Sequence, residues 1–265
     1  MKNAAALLEE YSMKRIISFF LCVLMTAALL AGCGDRKQRT TWIIAVDGDF
    51  SPFVCADANG KAVGLDVELL DAIARDQNFR YELRPSDWDT AMSVFTSHQA
   101  QVLMGSIASS QERIDGGWFF SHSFYNGVTQ SMAMEPSSDT NTLEDLAGKA
   151  VAVVSGTLGA AYAKSVKDKY GFSIATFSDS HSMYAAVLKG RAAACFEDTP
   201  ALRDSIAGGV ALELVPGSEG AASDYCVAIC DEKDRPFLEL FNQGLANIRA
   251  NGIYDAILAK YADTL

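Results

Sequence analysis

The chain has 265 residues, 49% of them hydrophobic and 21% charged, enough to build one or two globular domains. With 22 Lys and Arg against 33 Asp and Glu the formal net charge is -11. An acidic surface excludes the clustered cations that phosphate recognition needs, so nucleic acid is not a partner.

The first element is an export signal. Met13-Lys14-Arg15 precedes the apolar run IISFFLCVLMTAALLAG, which stops at Cys33. A short basic stretch, an apolar stretch and small residues before a break form a secretory signal. The run is short for a membrane span of about 20 residues. Its ending, Leu30-Ala31-Gly32-Cys33, resembles the lipobox of bacterial lipoproteins, which implies cleavage and lipid attachment at Cys33. Residues 1–32 are therefore expected to be removed and residues 33–41 to act as a polar tether. Glu9 and Glu10 do not suit a basic leader, which leaves Met1 and Met13 both open as the start. No later segment approaches 18 uninterrupted apolar residues, so the body is expected outside the membrane, tethered to it by lipid.

Beyond the tether, strand-like and helix-like segments alternate, the pattern of α/β layering. TWIIAV reads as a buried strand and DGDFSPFVCADANGKA as a loop with turn signals. GLDVELLDAIARDQNF then brings Val67, Leu70, Ala74, Leu69 and Ile73 to one helical face. FRYELRPS is a strand, TAMSVFTSHQ a helix and QVLMGS a third strand, followed by GSIASSQER at a helix start. After FFSHSFYNG the alternation restarts through LEDLAGKAVAVVSGTLGAAYAKSVKDKYG, SIATFSD, MYAAVLKGR, AAACFED and PALRDSIAGG. Near the C-terminus Phe237, Phe241, Leu245 and Ile248 share a helical face, and Asn251-Gly252 stops that helix. Tyr254, Ile257, Leu258 and Tyr261 continue beyond it.

Chemical motifs for catalysis are absent: there is no GxSxG, HExxH, GxxxxGK[ST] or strand-borne GxGxxG. His98, His122 and His181 sit in polar contexts and read as surface residues. Cys55, Cys195, Cys226 and Cys230 follow Cys22 and Cys33 without metal-ligand spacing, so no metal or other cofactor is expected. In the strand-like DYCVAICD, Cys226 and Cys230 would lie about 13 Å apart, too far to bridge. All four are expected to be buried, unpaired thiols.

Open α/β sheets bind ligands at the carboxyl ends of their strands. Those ends carry Asp47, Asp49 and Phe50; Trp88 in SDWD; GSIASSQER; Ser155, Gly156 and Thr157; and Glu197 with Asp198. In GSIASSQER, Ser106, Ser109 and Ser110 offer hydroxyls, a helix start offers backbone N–H groups, and Arg113 offers a planar fork. Such a combination suits a carboxylate, although an N-capped surface helix carrying a solvated arginine is an equal reading of this stretch alone.

From Trp42 to Tyr261 the chain resembles the amino-acid-binding family of bacterial ABC-transporter substrate-binding proteins, solute-binding family 3. The resemblance is carried by WIIAVDGDFSPF, DANGKAVGLDVELLDAIA, PSDWDTA, GSIASSQER, FFSHSFY, LEDLAGKAVAVVSGT, LKGRAAACFED and NGIYDAILAKY, in that order. It implies a periplasmic-binding-protein-like α/β fold of type II, two lobes joined by two hinge strands: lobe 1 from 42–127 and 222–265, lobe 2 from 128–221. It also implies that Arg113, with Ser110, holds a ligand α-carboxylate and that Asp198 holds the α-ammonium from the other lobe. Phe50 and Trp88 would sandwich the ligand side chain, Asp47 would contact its polar or cationic end, and Thr157 would face it. Ser106 and position 108 belong to the same ligand loop. The sequence departs from the family pattern at Ala108, at Leu158, in Gly190-Arg191-Ala192-Ala193-Ala194 and in Cys230-Asp231-Glu232. With Asp47, Asp49 and Glu197 near the cleft, the side-chain pocket is expected to be acidic, unless alternation along the strand turns Glu197 away from Asp198.

The function this resemblance implies is that of an amino-acid receptor, acting as a monomer with an ABC permease as partner and facing the periplasm or cell exterior. Two alternatives use the same fold. A dehydratase acting on prephenate or arogenate would need Glu197 or Asp49 as general acid. A sensor would pass ligand binding to a membrane signalling protein.

Overall fold

A computed structural model describes residues 41–220 and 222–265. The expected export signal, Cys33 and most of the expected tether lie outside the described residues.

Two mixed sheets organise the chain. The first is built around β1 (Thr41–Asp47), which pairs in parallel with both β5 (Arg80–Ser86) and β6 (Val102–Ala108). Ile44, Ala45 and Val46 are all buried, as a central strand covered on both faces requires. Chain return comes late: β14 (Ser223–Ile229) lies antiparallel to β6 and carries the short edge strands β7 (Phe119–Phe120) and β8 (Tyr125–Val128). The main path is β5-β1-β6-β14-β7.

The second sheet repeats the arrangement. Its centre is β10 (Ala150–Val154), parallel to β11 (Ser173–Phe177) and β12 (Ala194–Asp198). Antiparallel to β12 runs β9 (Gln130–Met134), with β13 (Glu213–Leu214) at its far edge, giving β11-β10-β12-β9-β13. In both sheets the second strand, the first, the third and then an antiparallel strand follow one another across the sheet. The chain crosses between the sheets at residues 128–130 and again at 214–223.

Helices cover the sheets through the apolar faces that their sequence periodicity sets. On the first sheet, α1 (Leu65–Gln77) buries Val67, Leu69, Leu70, Ile73 and Ala74 against α7 (Arg235–Ala250) and α8 (Ile253–Leu258). Its C-terminus is closed by Asn78 in the left-handed conformation, φ 55°. The other face carries α2 (Trp88–Thr96), whose N-cap Asp87 accepts the Thr90 N–H at 2.9 Å. On the second sheet lie α4 (Leu158–Tyr170), α5 (Ser180–Leu188) and α6 (Thr199–Ala207), while the five-residue α3 (Gln111–Asp115) follows β6.

The structure departs from the sequence pattern in a few places. The loop over residues 47–62 contains a small antiparallel meander, β2 (Asp49–Phe50), β3 (Val54–Ala56) and β4 (Ala62–Val63). Strands of two or three residues are too short to register as alternation. Likewise β9 is buried at all five positions and so shows none. Strand β14 ends at Ile229 with an irregular register between Cys226 and Ala228, so Cys230 lies beyond it. The four described cysteines are unpaired as expected; Cys195 and Cys226 are buried, but Cys55 and Cys230 are half-buried.

Candidate functional site: a charged cleft between the two sheets

The carboxyl ends of the parallel strands in both sheets face one another across a cleft. It contains a cavity lined from both sheets. Asp47, Phe50, Trp88, Gly105 and Arg113 line it from the first sheet, and Gly156, Thr157, Leu158, Ser180, Glu197 and Asp198 from the second. Seven of the side chains singled out in the sequence, Asp47, Phe50, Trp88, Arg113, Thr157, Glu197 and Asp198, are thus brought to one wall or the other.

Arg113 is the cation among these lining residues. Its Nη1 donates to the Ala108 carbonyl at 2.7 Å, and its Nη2 donates to the Gly156 carbonyl of the second lobe at 3.0 Å. The guanidinium also lies 5.4 Å from the Trp118 ring centroid. Burial lowers its pKa from the ordinary range, yet an arginine remains protonated at neutral pH. Five N–H bonds radiate from the fork, so three remain for a ligand. The anion-seat reading changes in detail here. Because α3 has only five residues, its dipole is small, and the positive charge comes from the Arg113 side chain rather than from the helix end.

The remaining members of GSIASSQER divide their work. Ala108 supplies its carbonyl to Arg113 and is buried. Ser110 is exposed and caps α3, its Oγ accepting the Arg113 N–H at 3.3 Å. Neither lines the cavity. The side chain of Ser106 lies outside the described part of the structure.

Asp198 stands where β12 ends, 5% exposed. It accepts the Tyr225 hydroxyl of β14 and, at 3.0 Å, the Gln130 amide at the start of β9. These bonds tie it to the return strand of one sheet and to the first crossing between the sheets. Burial raises its pKa to about 6, with the Tyr225 and Gln130 donors pulling the other way. Glu197 is equally buried; it accepts from Ser180 Oγ at 2.5 Å and from the Tyr184 hydroxyl. Burial pushes its pKa to about 7 against those two donors, and the charges of Asp198 and Asp47 add to the rise. Asp47 accepts the Asp49 N–H at 3.1 Å, and its pKa is raised to about 6, chiefly by burial. Glu197 therefore does not turn away: strand alternation sends its carboxylate toward α5 and that of Asp198 toward the crossing, and both line the cavity.

Three further contacts join the walls. Trp88 Nε1 donates to the Ser155 carbonyl at 2.9 Å, so the indole clasps the second lobe while its ring lines the cavity. At the mouth, His181 Nδ1 lies 2.6 Å from Asp49 Oδ2, both side chains being exposed. Leu158 packs against the hydrophobic cluster of the first sheet. Thr157 caps α4, its Oγ1 accepting the Ala160 N–H at 3.2 Å and donating to the Val154 carbonyl at 2.8 Å. The turn into that cap needs Gly156 at φ 74°, a conformation that costs a side-chain-bearing residue.

Sequence reading missed Ser180, Tyr184, Tyr225 and Gln130. Ser180 follows the carboxyl end of β11, so the strand-end rule applied there would have found it. The other three are remote in sequence from the carboxylates they hold and carry no local signal. Among the described residues no group of His, Cys, Asp and Glu is arranged to hold a metal. No helix among them is long and apolar enough to cross a membrane.

Comparison with known proteins agrees with this architecture. The chain is 25% identical over 236 residues to the lysine/arginine/ornithine-binding periplasmic protein of Escherichia coli K12, covering 83% of this chain and 86% of that one. The second substrate-binding domain of a putative amino acid ABC transporter from Streptococcus pneumoniae is 34% identical, with a TM-score of 0.57 over 83% of this chain and 99% of the domain. An ancestral arginine-binding protein, solved with arginine and with glutamine, is 26% identical with a TM-score of 0.75 over 84% of this chain and 98% of its own. Residues 42–264 match one family throughout, and the chain belongs to it: the bacterial extracellular solute-binding proteins, family 3.

Proposed function

We propose that this protein is a lipid-anchored extracytoplasmic receptor that captures an amino acid, polar or cationic at its side chain, and delivers it to an ABC importer. The observation that carries the reading is the pairing of Arg113 on one wall with Asp198 on the other around a single cavity. An α-amino acid presents a carboxylate and an ammonium a few ångströms apart, and only a closed cleft lets both anchors reach it. Ligand binding then favours the closed state through contacts that the open state lacks. Lobe 1 (42–127 and 222–265) and lobe 2 (128–221) would move as bodies about the two crossings.

Relatives named for lysine, arginine and ornithine, and for arginine, support an amino acid as the ligand class. A lipid on Cys33 would keep the monomeric receptor beside its permease. Of the two acids either of which a dehydratase could use, Asp49 does not line the cavity and lies against His181, while Glu197 does line it; it is the relatives' names as binding proteins that favour binding over catalysis.

The test is a thermal-shift panel of the twenty amino acids on the protein beginning after Cys33. A ligand at about 100 times its Kd stabilises by about 2.7 kcal/mol, a clear rise in melting temperature. A positive result is expected among Arg, Lys, His and Gln. Melting unchanged by every amino acid would overturn the reading.

A further inference from the structure

The charges around the cavity do not balance with the α-groups alone. Arg113 faces three carboxylates, Asp47, Glu197 and Asp198. A zwitterion brings one negative and one positive charge, which neutralise Arg113 and Asp198. Asp47 and Glu197 are left over, one on each wall, and the charge of Asp47 adds to the proton affinity of Glu197. Among the described residues no Lys, Arg or His side chain stands within ion-pair distance of either. A buried carboxylate such as Glu197, or a half-buried one such as Asp47, is costly unless neutralised or paired.

Glu197 is also built to be aimed. Ser180 Oγ holds one of its oxygens at 2.5 Å and the Tyr184 hydroxyl holds the other, while Tyr184 lies 3.3 Å from Ser205 Oγ on α6. Each oxygen keeps a second lone pair. Ser180 itself lines the cavity, so this cluster reaches the ligand space directly. The groups facing Glu197 are Ser180 and Tyr184 from α5, Cys195 and Asp198 from its own strand, and Asp47 from β1.

We infer that Glu197, fixed by Ser180 and Tyr184, receives the positively charged end of the ligand side chain from lobe 2 while Asp47 receives it from lobe 1, so that the ligand is a cationic amino acid and bridges the lobes at both of its ends. The inference rests on the reading that the cavity holds an α-amino acid. It assigns the substrate class to a residue cluster on β12 and α5, and it gives the two carboxylates that the zwitterion leaves over one cation to share.

The experiment compares L-arginine with L-citrulline, its neutral near-isostere, by calorimetric titration of the wild type, Glu197→Gln and Glu197→Asp. A charge-assisted hydrogen bond predicts that the wild type prefers L-arginine by about ten- to a hundred-fold. In Glu197→Gln that ratio falls toward one, and in Glu197→Asp part of it returns because the charge is kept on a shorter arm. Thermal melting of each variant shows that it is folded; if the amide variant is not, the aspartate variant and the wild-type ratio decide. Wild-type binding of citrulline as tight as arginine, or an arginine preference untouched in Glu197→Gln and Glu197→Asp, overturns the inference. Both results leave the amino-acid reading standing, whereas failure of every amino acid to bind removes that reading itself.

Discussion

Arg113 in α3 donates to the carbonyl of Gly156, 43 positions later in the chain and on the opposite lobe, at 3.0 Å. A residue read from sequence as a ligand anchor is therefore also part of the closure contact. Its guanidinium meets Gly156 just before the helix α4 that begins beside Thr157. The proposed carboxylate anchor and the contact between the lobes converge on one side chain.

Arg113→Ala is expected to weaken amino-acid binding severely, by at least about thirty-fold, because removing one partner of a desolvated charge pair costs roughly 2–5 kcal/mol. Arg113→Lys keeps the charge but not the fork, so it recovers only part. Calorimetric titration with L-arginine and with L-argininamide checks the assignment. The amide lacks a carboxylate and should bind the wild type weakly, and Arg113→Ala should weaken it little further. An equal loss for both ligands would assign Arg113 to closure alone.

The pH dependence has a definite sign. Asp47, Asp198 and Glu197 have folded-state pKa values raised to about 6, 6 and 7. Their neutral forms are favoured by folding, so this stabilisation is complete below about pH 4 and is lost as pH rises through 6 and 7. A ligand ammonium or guanidinium reverses the preference, since it needs the carboxylates ionised. Melting curves from pH 5 to pH 8 should show this share of the free protein's stability falling as pH rises. Glu197→Gln should gain on the wild type as pH rises from about 4.5 to 7 and keep that lead at higher pH. The gain on adding saturating L-arginine should grow over the same range.

Gly159 is the second residue of α4, where an added Cβ would stand 2.4 Å from the Phe196 carbonyl oxygen and 3.0 Å from Glu197 Cα. The helix start thus lies flush on the strand end that carries both lobe-2 carboxylates. Gly159→Ala should push the two apart, destabilising by about 1–3 kcal/mol in urea unfolding, as overpacking does. The same displacement should weaken amino-acid binding. A variant with wild-type stability and affinity would show that this approach is not needed.

Much of this protein was legible from residue pattern alone. Periodicity in GLDVELLDAIARDQNF marks the helix that packs on the first sheet, and β-rich runs such as TWIIAV and AAACFED mark the central strands. Capping residues Asp87 and Thr157 stand at the helix starts where local chemistry puts them. These features depend on neighbours within a few positions, so sequence determines them. Strand ends follow from that, and with them Asp47, Trp88, Arg113, Thr157 and Asp198.

Tertiary structure decided what those residues touch. Tyr225 reaches Asp198 across 27 positions, Trp88 reaches Ser155 across 67 and His181 meets Asp49 from the other lobe. Whether Glu197 faced the ligand space depended on α5, which supplies Ser180 and Tyr184 to hold its carboxylate. Burial of that carboxylate, and so its proton affinity, is a property of the packed sheets and not of the letters Phe-Glu-Asp. Local pattern sets where chemistry is presented, but the charge state and partners of each group are set by long-range contacts that no short window contains.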